Sequence, residues 1–86
     1  MPEISRFLGI SVLMYFNEHN PPHFHVRYNE YRAAVRINDL VIEEGYLPAK
    51  VANLVLEWAQ LHQQELLDTW NNIKATGTYQ KIEPLV

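Results

Sequence analysis

Two alternating runs of residues, separated by a two-residue turn, constrain the fold of this chain more than any other feature. Residues 23–28 and 31–37 each alternate apolar with polar side chains, as β-strands with one buried face do. Asn29 and Glu30 separate them, and Asn tolerates the positive φ that a two-residue hairpin turn requires. The sequence therefore predicts an antiparallel hairpin in a fixed register. On its apolar face this register pairs Phe24 with Val35, Val26 with Ala33 and Tyr28 with Tyr31.

The remaining segments predict two further strands and a helical C-terminal half. Residues 10–16 alternate as a first strand would, and residues 40–44 form a short last strand that ends at Gly45. Residues 48–75 lack any Gly or internal Pro, which favours helix. A continuous helix of this length would run about 40 Å, beyond the ~26 Å body of such a chain, so it kinks, divides in two or projects. We predict an α+β fold in which a four-stranded, mainly antiparallel sheet packs against this long C-terminal helix.

The length of 86 residues leaves room for one domain only. A body this small buries only about 60–65% of its chain surface, which makes self-association a simple source of further stability. The apolar stripe of the helix is wider than contact with one sheet requires, and this favours a homodimer as much as ordinary burial. The predicted domain spans 1–86, with the sheet over about 7–44, the helix over about 48–75 and a C-terminal tail over 77–86 that lies back on the body.

Composition limits the location and the chemistry. The chain has no cysteine, no signal-peptide pattern at its start and no run approaching the ~20 apolar residues of a membrane span. We therefore expect a cytoplasmic protein with no membrane partner, in which any metal would be held by His, Asp or Glu. The net charge of −3 argues against bulk attraction to nucleic acid but allows a local basic patch.

The second face of the predicted hairpin carries basic side chains. The register places Arg27 directly opposite Arg32, with Arg36 further along the same face. Like charges in this position repel, so something negative should lie near them. It is either an acid such as Glu30 or Glu43, in an ordinary surface network, or a bound anion such as phosphate.

Two neighbours bear on how this face is used. The last strand is predicted to place Glu43 opposite Ala34, with its carboxylate towards the arginines. Tyr15 lies on the opposite side of the first strand from its apolar residues, so it is the aromatic side chain most available for stacking on a base. The face could therefore bind nucleic acid.

Three histidines form the candidate chemical site. His23 and His25, two residues apart on a strand, project from one side, and His19 joins them if the intervening Pro21-Pro22 loop folds back. Three imidazoles can bind Zn²⁺ or another divalent metal and leave a position for water. Without a metal, the same histidines are candidate general acids and bases acting on a phosphodiester. A purely structural alternative has them bonding backbone groups at a rigid corner.

One run of residues also resembles the motif of a known protein family. Glu18-His19-Asn20-Pro21-Pro22-His23-Phe24-His25-Val26, with the preceding Met14-Tyr15-Phe16, resembles the bacterial family called domain of unknown function 4160. Gly45-x-Leu47-Pro48, Glu57-Trp58 and the closing Ile82-Glu83-Pro84-Leu85 extend the resemblance along the chain. The family commonly has Gly where this chain has Asn29, which also accepts positive φ.

The resemblance implies a partner rather than a reaction. The family has no established activity to transfer, and its members are often encoded beside a second small family, numbered 2442, in an arrangement resembling toxin and antitoxin pairs. Our leading hypothesis is thus a protein-interaction module with an anion-binding or nucleic-acid-binding His/Arg face. The alternative is a small His-dependent phosphodiesterase or ribonuclease, with or without a metal.

Overall fold

A computed structural model describes residues 2–86 and has the predicted α+β architecture, with an antiparallel sheet and two C-terminal helices. The sheet has five strands in sequential order, one more than predicted. The elements are β1 (Glu3–Phe7), β2 (Ile10–Leu13), β3 (His23–Tyr28), β4 (Tyr31–Arg36), β5 (Val41–Gly45), α1 (Ala49–Leu61) and α2 (Gln63–Thr76).

The predicted hairpin is confirmed in its register. All six pairs between β3 and β4 follow the register set by the two-residue turn, from Tyr28 opposite Tyr31 to His23 opposite Arg36. Asn29 has φ 53°, the left-handed conformation that this turn requires. The apolar face of the hairpin is buried, and its other face carries the basic side chains, as predicted.

The strand that sequence analysis missed is β1, which pairs antiparallel with β2 at the edge of the sheet. An irregularity between Glu3 and Ser5 interrupts its alternation, so consecutive residues Ile4 and Ser5 are both buried. The turn to β2 includes Leu8 at φ 52°, an uncommon conformation for a residue with a branched side chain. The period-two pattern was therefore interrupted, and the turn carries a typical turn residue only at Gly9, since Leu8 is not one.

The prediction that Glu43 lies opposite Ala34 is wrong. A register shift between Ala34 and Val35 makes Glu43 an additional residue, and Glu44 pairs with Ala34 instead. Beyond this bulge, Gly45 adopts φ 84° and lies so close to β4 that a Cβ atom would come within 2.2 Å of the Arg32 carbonyl oxygen. Only glycine fits this position without displacing a strand.

The helical half divides in two, one of the predicted alternatives. α1 ends at His62, whose φ and ψ of −121° and 23° are not helical, and α2 begins at once. Gly77, at φ 74°, ends α2. None of the helices formed by residues 2–86 is long and apolar enough to span a membrane.

The core lies between the apolar face of the sheet, the two helices and the tail. Trp58 of α1 is fully buried, with its ring centroid 5.7 Å from that of Phe7 and 6.0 Å from that of Phe24. Its indole N–H donates to the Glu83 carbonyl at 2.8 Å, and the buried Ile82 donates its backbone N–H to β1. The predicted docking of the tail is thus confirmed, and it accounts for part of the helix stripe without a second copy of the chain.

Candidate functional site

The candidate site lies on the face of β3 that points away from the core. Alternation along the strand buries Phe24 and Val26 and directs His23, His25 and Arg27 to the opposite side. The loop before β3 is anchored at two places. The Pro22 carbonyl accepts a hydrogen bond from Ile37 at 2.9 Å, and the Lys74 ammonium group of α2 donates to the Glu18 carbonyl.

One carboxylate lies between two imidazoles at the start of β3. Glu18 Oε1 is 2.7 Å from His25 Nε2, and Glu18 Oε2 is 3.6 Å from His23 Nε2. The other ring nitrogen of His23, Nδ1, donates to the Pro21 carbonyl at 2.8 Å. One ligand atom from each of Glu18, His23 and His25 can be chosen so that all three lie within 4.8 Å of one another.

Aromatic rings hold this cluster, here called the Glu18–His23–His25 cluster. The ring of His23 is buried and lies 5.3 Å from the ring of Trp70, a buried residue of α2. The His25 ring is half-buried and meets the edge of Tyr15 at a centroid distance of 4.6 Å. Packing thus fixes His23 more firmly than His25.

Sequence analysis predicted two of the three members of this cluster. His23 and His25 come together, with ring centroids 5.1 Å apart, but His19 is exposed and does not belong to the converging set. Glu18 takes the place assigned to His19. The available signal was that Glu18 is the only acidic residue between the first strand and His23, although spacing alone could not show which of two adjacent loop side chains turns inward.

Arg27 and Arg32 face each other across β3 and β4, as predicted. Among residues 2–86, no carboxylate lies within 4.0 Å of either guanidinium, so neither of the acids considered, Glu30 and Glu43, forms an ion pair with them. They border a shallow depression of about 250 Å³. Its lining includes Leu13, Tyr15, His25, Arg27, Arg32, Ala34 and Glu44.

Arg36 is already paired, unlike the other two predicted anion-binding arginines. Its guanidinium donates to both carboxylate oxygens of Asp39, at 2.8 and 2.6 Å, and lies 3.8 Å from Glu43. Hydrogen bonding to Asp39 raises the pKa of Arg36, and the same contact lowers the pKa of Asp39. Sequence analysis did not predict this pair, because Asp39 lies in the turn between β4 and β5, where no period indicates which way a side chain points.

Fold and site together define a small α+β protein with one face of its sheet packed and the other carrying histidines, arginines and a shallow depression. The chain belongs to the family described as Domain of unknown function (DUF4160), whose model matches residues 9–71. This range includes every residue of the cluster and of the depression, and leaves out β1 and the tail. No curated protein and no solved structure matches the chain significantly.

Proposed function

We propose that this protein binds a phosphate-bearing ligand, short single-stranded nucleic acid, on the depression between Arg27 and Arg32. The observation that supports this most is that these two directly opposed arginines have no acidic partner within ion-pair distance among residues 2–86. Directly opposed like charges destabilise a strand pair, and a bound anion reverses the sign of that interaction. Arginine suits phosphate because its planar fork makes two parallel hydrogen bonds.

The surroundings of the two arginines favour an anion with an attached base over free phosphate. The floor of the depression includes Leu13 and Ala34, 6% and 5% exposed, so contact there is apolar. Tyr15 and His25 line the same depression and offer aromatic surface for stacking. Glu44 also lines it, and its carboxylate limits how much negative charge can be accommodated.

The charge of the whole chain sets the expected strength of binding. With a net charge of −3, attraction must come from the local arginine pair. We therefore expect a dissociation constant in the range of non-specific nucleic-acid binding, roughly 10⁻⁴ to 10⁻⁶ M at physiological salt.

Fluorescence anisotropy with a labelled single-stranded RNA of about eight nucleotides tests the proposal. We expect the Arg27→Gln/Arg32→Gln variant to lose at least about tenfold in affinity, since each hydrogen bond between charged groups contributes about 1.5 kcal/mol or more. The matched control is Lys50→Gln/Lys81→Gln, which removes the same charge from two exposed positions outside the depression. Equal losses in the two variants would show bulk electrostatics and refute the proposal.

Cleavage of the bound phosphodiester is a second candidate function, favoured by one contact. The hydrogen bond of 2.7 Å from His25 to Glu18 orients an imidazole at the edge of the same depression, as a general base requires. Incubating the labelled RNA with wild-type protein and with His25→Gln, each with and without Zn²⁺ or Mn²⁺, tests it. RNA that stays intact in every sample excludes catalysis on this substrate.

A protein partner is the remaining part of the sequence-based hypothesis. It rests on the family resemblance, because single exposed apolar side chains such as Tyr46 and Leu61, 65% and 68% exposed, are normal on a protein surface. Light scattering of the purified chain tests the homodimer. Co-purification with the product of a neighbouring gene tests a toxin–antitoxin-like pair, and the absence of both would leave the nucleic-acid proposal to stand alone.

A further inference from the structure

We infer that Glu18, His23 and His25 form a three-ligand site for a borderline divalent cation, with Zn²⁺ as the reference ion. The inference is independent of the nucleic-acid proposal, because it rests on different side chains except for the shared His25. Two imidazoles and one carboxylate are a ligand set found in catalytic zinc sites and in non-haem iron sites. It differs from the three-histidine set expected from sequence by replacing His19 with Glu18.

The hydrogen bond made by His23 leaves its second ring nitrogen available to a cation. Its Nδ1 bonds a carbonyl oxygen, which can only accept, so the proton of the neutral ring lies on Nδ1. The lone pair of Nε2 is then directed to the side on which Glu18 Oε2 lies, at 3.6 Å, beyond a normal hydrogen bond. Bonding of the distal ring nitrogen to a backbone carbonyl is the usual support for a metal-binding histidine.

The ligand atoms of the cluster lie near the separations of a zinc site. In a tetrahedral zinc site with bonds of about 2.0–2.2 Å, neighbouring ligand atoms lie roughly 3.3–3.6 Å apart. Glu18 Oε2 lies 3.6 Å from His23 Nε2, inside this range, whereas Glu18 Oε1 lies 2.7 Å from His25 Nε2, a hydrogen-bond distance that is shorter than the range. A cation would replace the proton that His25 Nε2 now shares with Glu18, and the contact between these two side chains would lengthen to admit it.

Helix α2 holds two of the three ligands in place. His23 is packed against Trp70, and the backbone of Glu18 is held by Lys74, so two of the three ligands are positioned by α2 as well as by their own segment. Such preorganisation lowers the cost of assembling a site. The four-coordinate site would have one position left for water or for an anionic ligand.

The competing explanation is an ordinary hydrogen-bonded network. In it, Glu18 Oε1 accepts a hydrogen bond from His25, and Oε2 lies beside His23 with no cation between them. This network needs no metal, and it predicts no selective, stoichiometric binding.

Isothermal titration calorimetry of the full chain with ZnCl₂ decides between the two. We expect one ion per chain, and a loss of at least about tenfold in affinity for Glu18→Gln and for His25→Gln. Both residues are only half-buried, so these variants should fold, which circular dichroism checks. The adjacent His19→Ala is the matched control and should bind as wild type does.

Further controls separate the outcomes. His62→Gln removes the other histidine that pairs with a glutamate, at 2.6 Å from Glu65, and should leave Zn²⁺ binding unchanged. Arg27→Gln/Arg32→Gln should lose RNA but retain Zn²⁺, so failure of either proposal is recognised separately. Absence of saturable binding to wild type, or a loss with His19→Ala but not with Glu18→Gln, would overturn the inference.

Discussion

On the face of β3 that points away from the core, the polar side chains have an acidic partner at one end of the strand and, within residues 2–86, none at the other. At its start, His23 and His25 share the carboxylate of Glu18, and His23 also bonds a backbone carbonyl. Near its end, Arg27 faces Arg32 with no such carboxylate among residues 2–86. The loop before β3 supplies Glu18 at the start of the strand. The tight turn after β3 leads into β4, which places a second arginine, Arg32, at the other end.

This difference distinguishes side chains that are held by a partner from side chains that are free to bind a ligand. Side chains that already have partners are held in place, as those of the Glu18–His23–His25 cluster are. Guanidinium groups without an acidic partner retain their capacity to bind an anion. Arg36 is the internal reference, because it lies on the same face and yet is paired with Asp39.

The largest expected effect concerns the scaffold at the arginine end. Gly45→Ala should lower the free energy of unfolding by about 3 kcal/mol or more, because the new Cβ would meet the Arg32 carbonyl oxygen at 2.2 Å. Gly9→Ala, at similar positive φ but with its nearest neighbour at 3.9 Å, should cost only about 1 kcal/mol. Urea denaturation measures both. Equal costs would mean that β5 does not approach β4 so closely.

The next largest effect is the difference in stability lost when His23 or His25 is replaced by Ala. His23→Ala should destabilise the fold by about 2 kcal/mol, since it removes a buried ring and leaves the Pro21 carbonyl without its donor. His25→Ala, at a more exposed position, should cost about 1 kcal/mol or less. Thermal denaturation of both variants checks the order. A larger loss of stability for His25→Ala would contradict the conclusion that packing fixes His23 more firmly than His25.

A smaller effect of opposite sign is expected at the arginines. Arg32→Gln should raise the free energy of unfolding by about 0.2–1 kcal/mol at low salt, because it relieves repulsion with Arg27. Arg36→Gln should lower it, because that arginine is paired with Asp39. Salt should reduce both changes. A loss of stability in Arg32→Gln would show that Arg32 has a stabilising partner after all.

The smallest effect is the pH dependence of the Arg36–Asp39 pair. The pKa of Asp39 is lowered by Arg36 in the folded state, so the pair stabilises the fold above the ordinary carboxyl range, about pH 4. This contribution is lost as the pH falls through the lowered pKa. The stability difference between wild type and Asp39→Asn should therefore be present at neutral pH and vanish in acid. Solvent exposure keeps it small.

The sequence predicted best those features that depend on a few neighbouring residues. The hairpin register followed from one turn, and the arginine pair followed from the register. β1 and the bulge in β5 were missed because each breaks the alternation on which strand prediction depends. Glu18 and Asp39 were missed because loop side chains have no period, and only the folded chain shows which way they turn.

The salt dependence of RNA binding tests the central claim most directly. For a ligand held through one or two phosphates, the slope of log Kobs against log[salt] should lie between about −0.7 and −1.4 for wild type. It should approach zero for Arg27→Gln/Arg32→Gln, while Lys50→Gln/Lys81→Gln retains the wild-type slope. A slope that is the same in wild type and in Arg27→Gln/Arg32→Gln would contradict the proposal that these opposed arginines bind the phosphate.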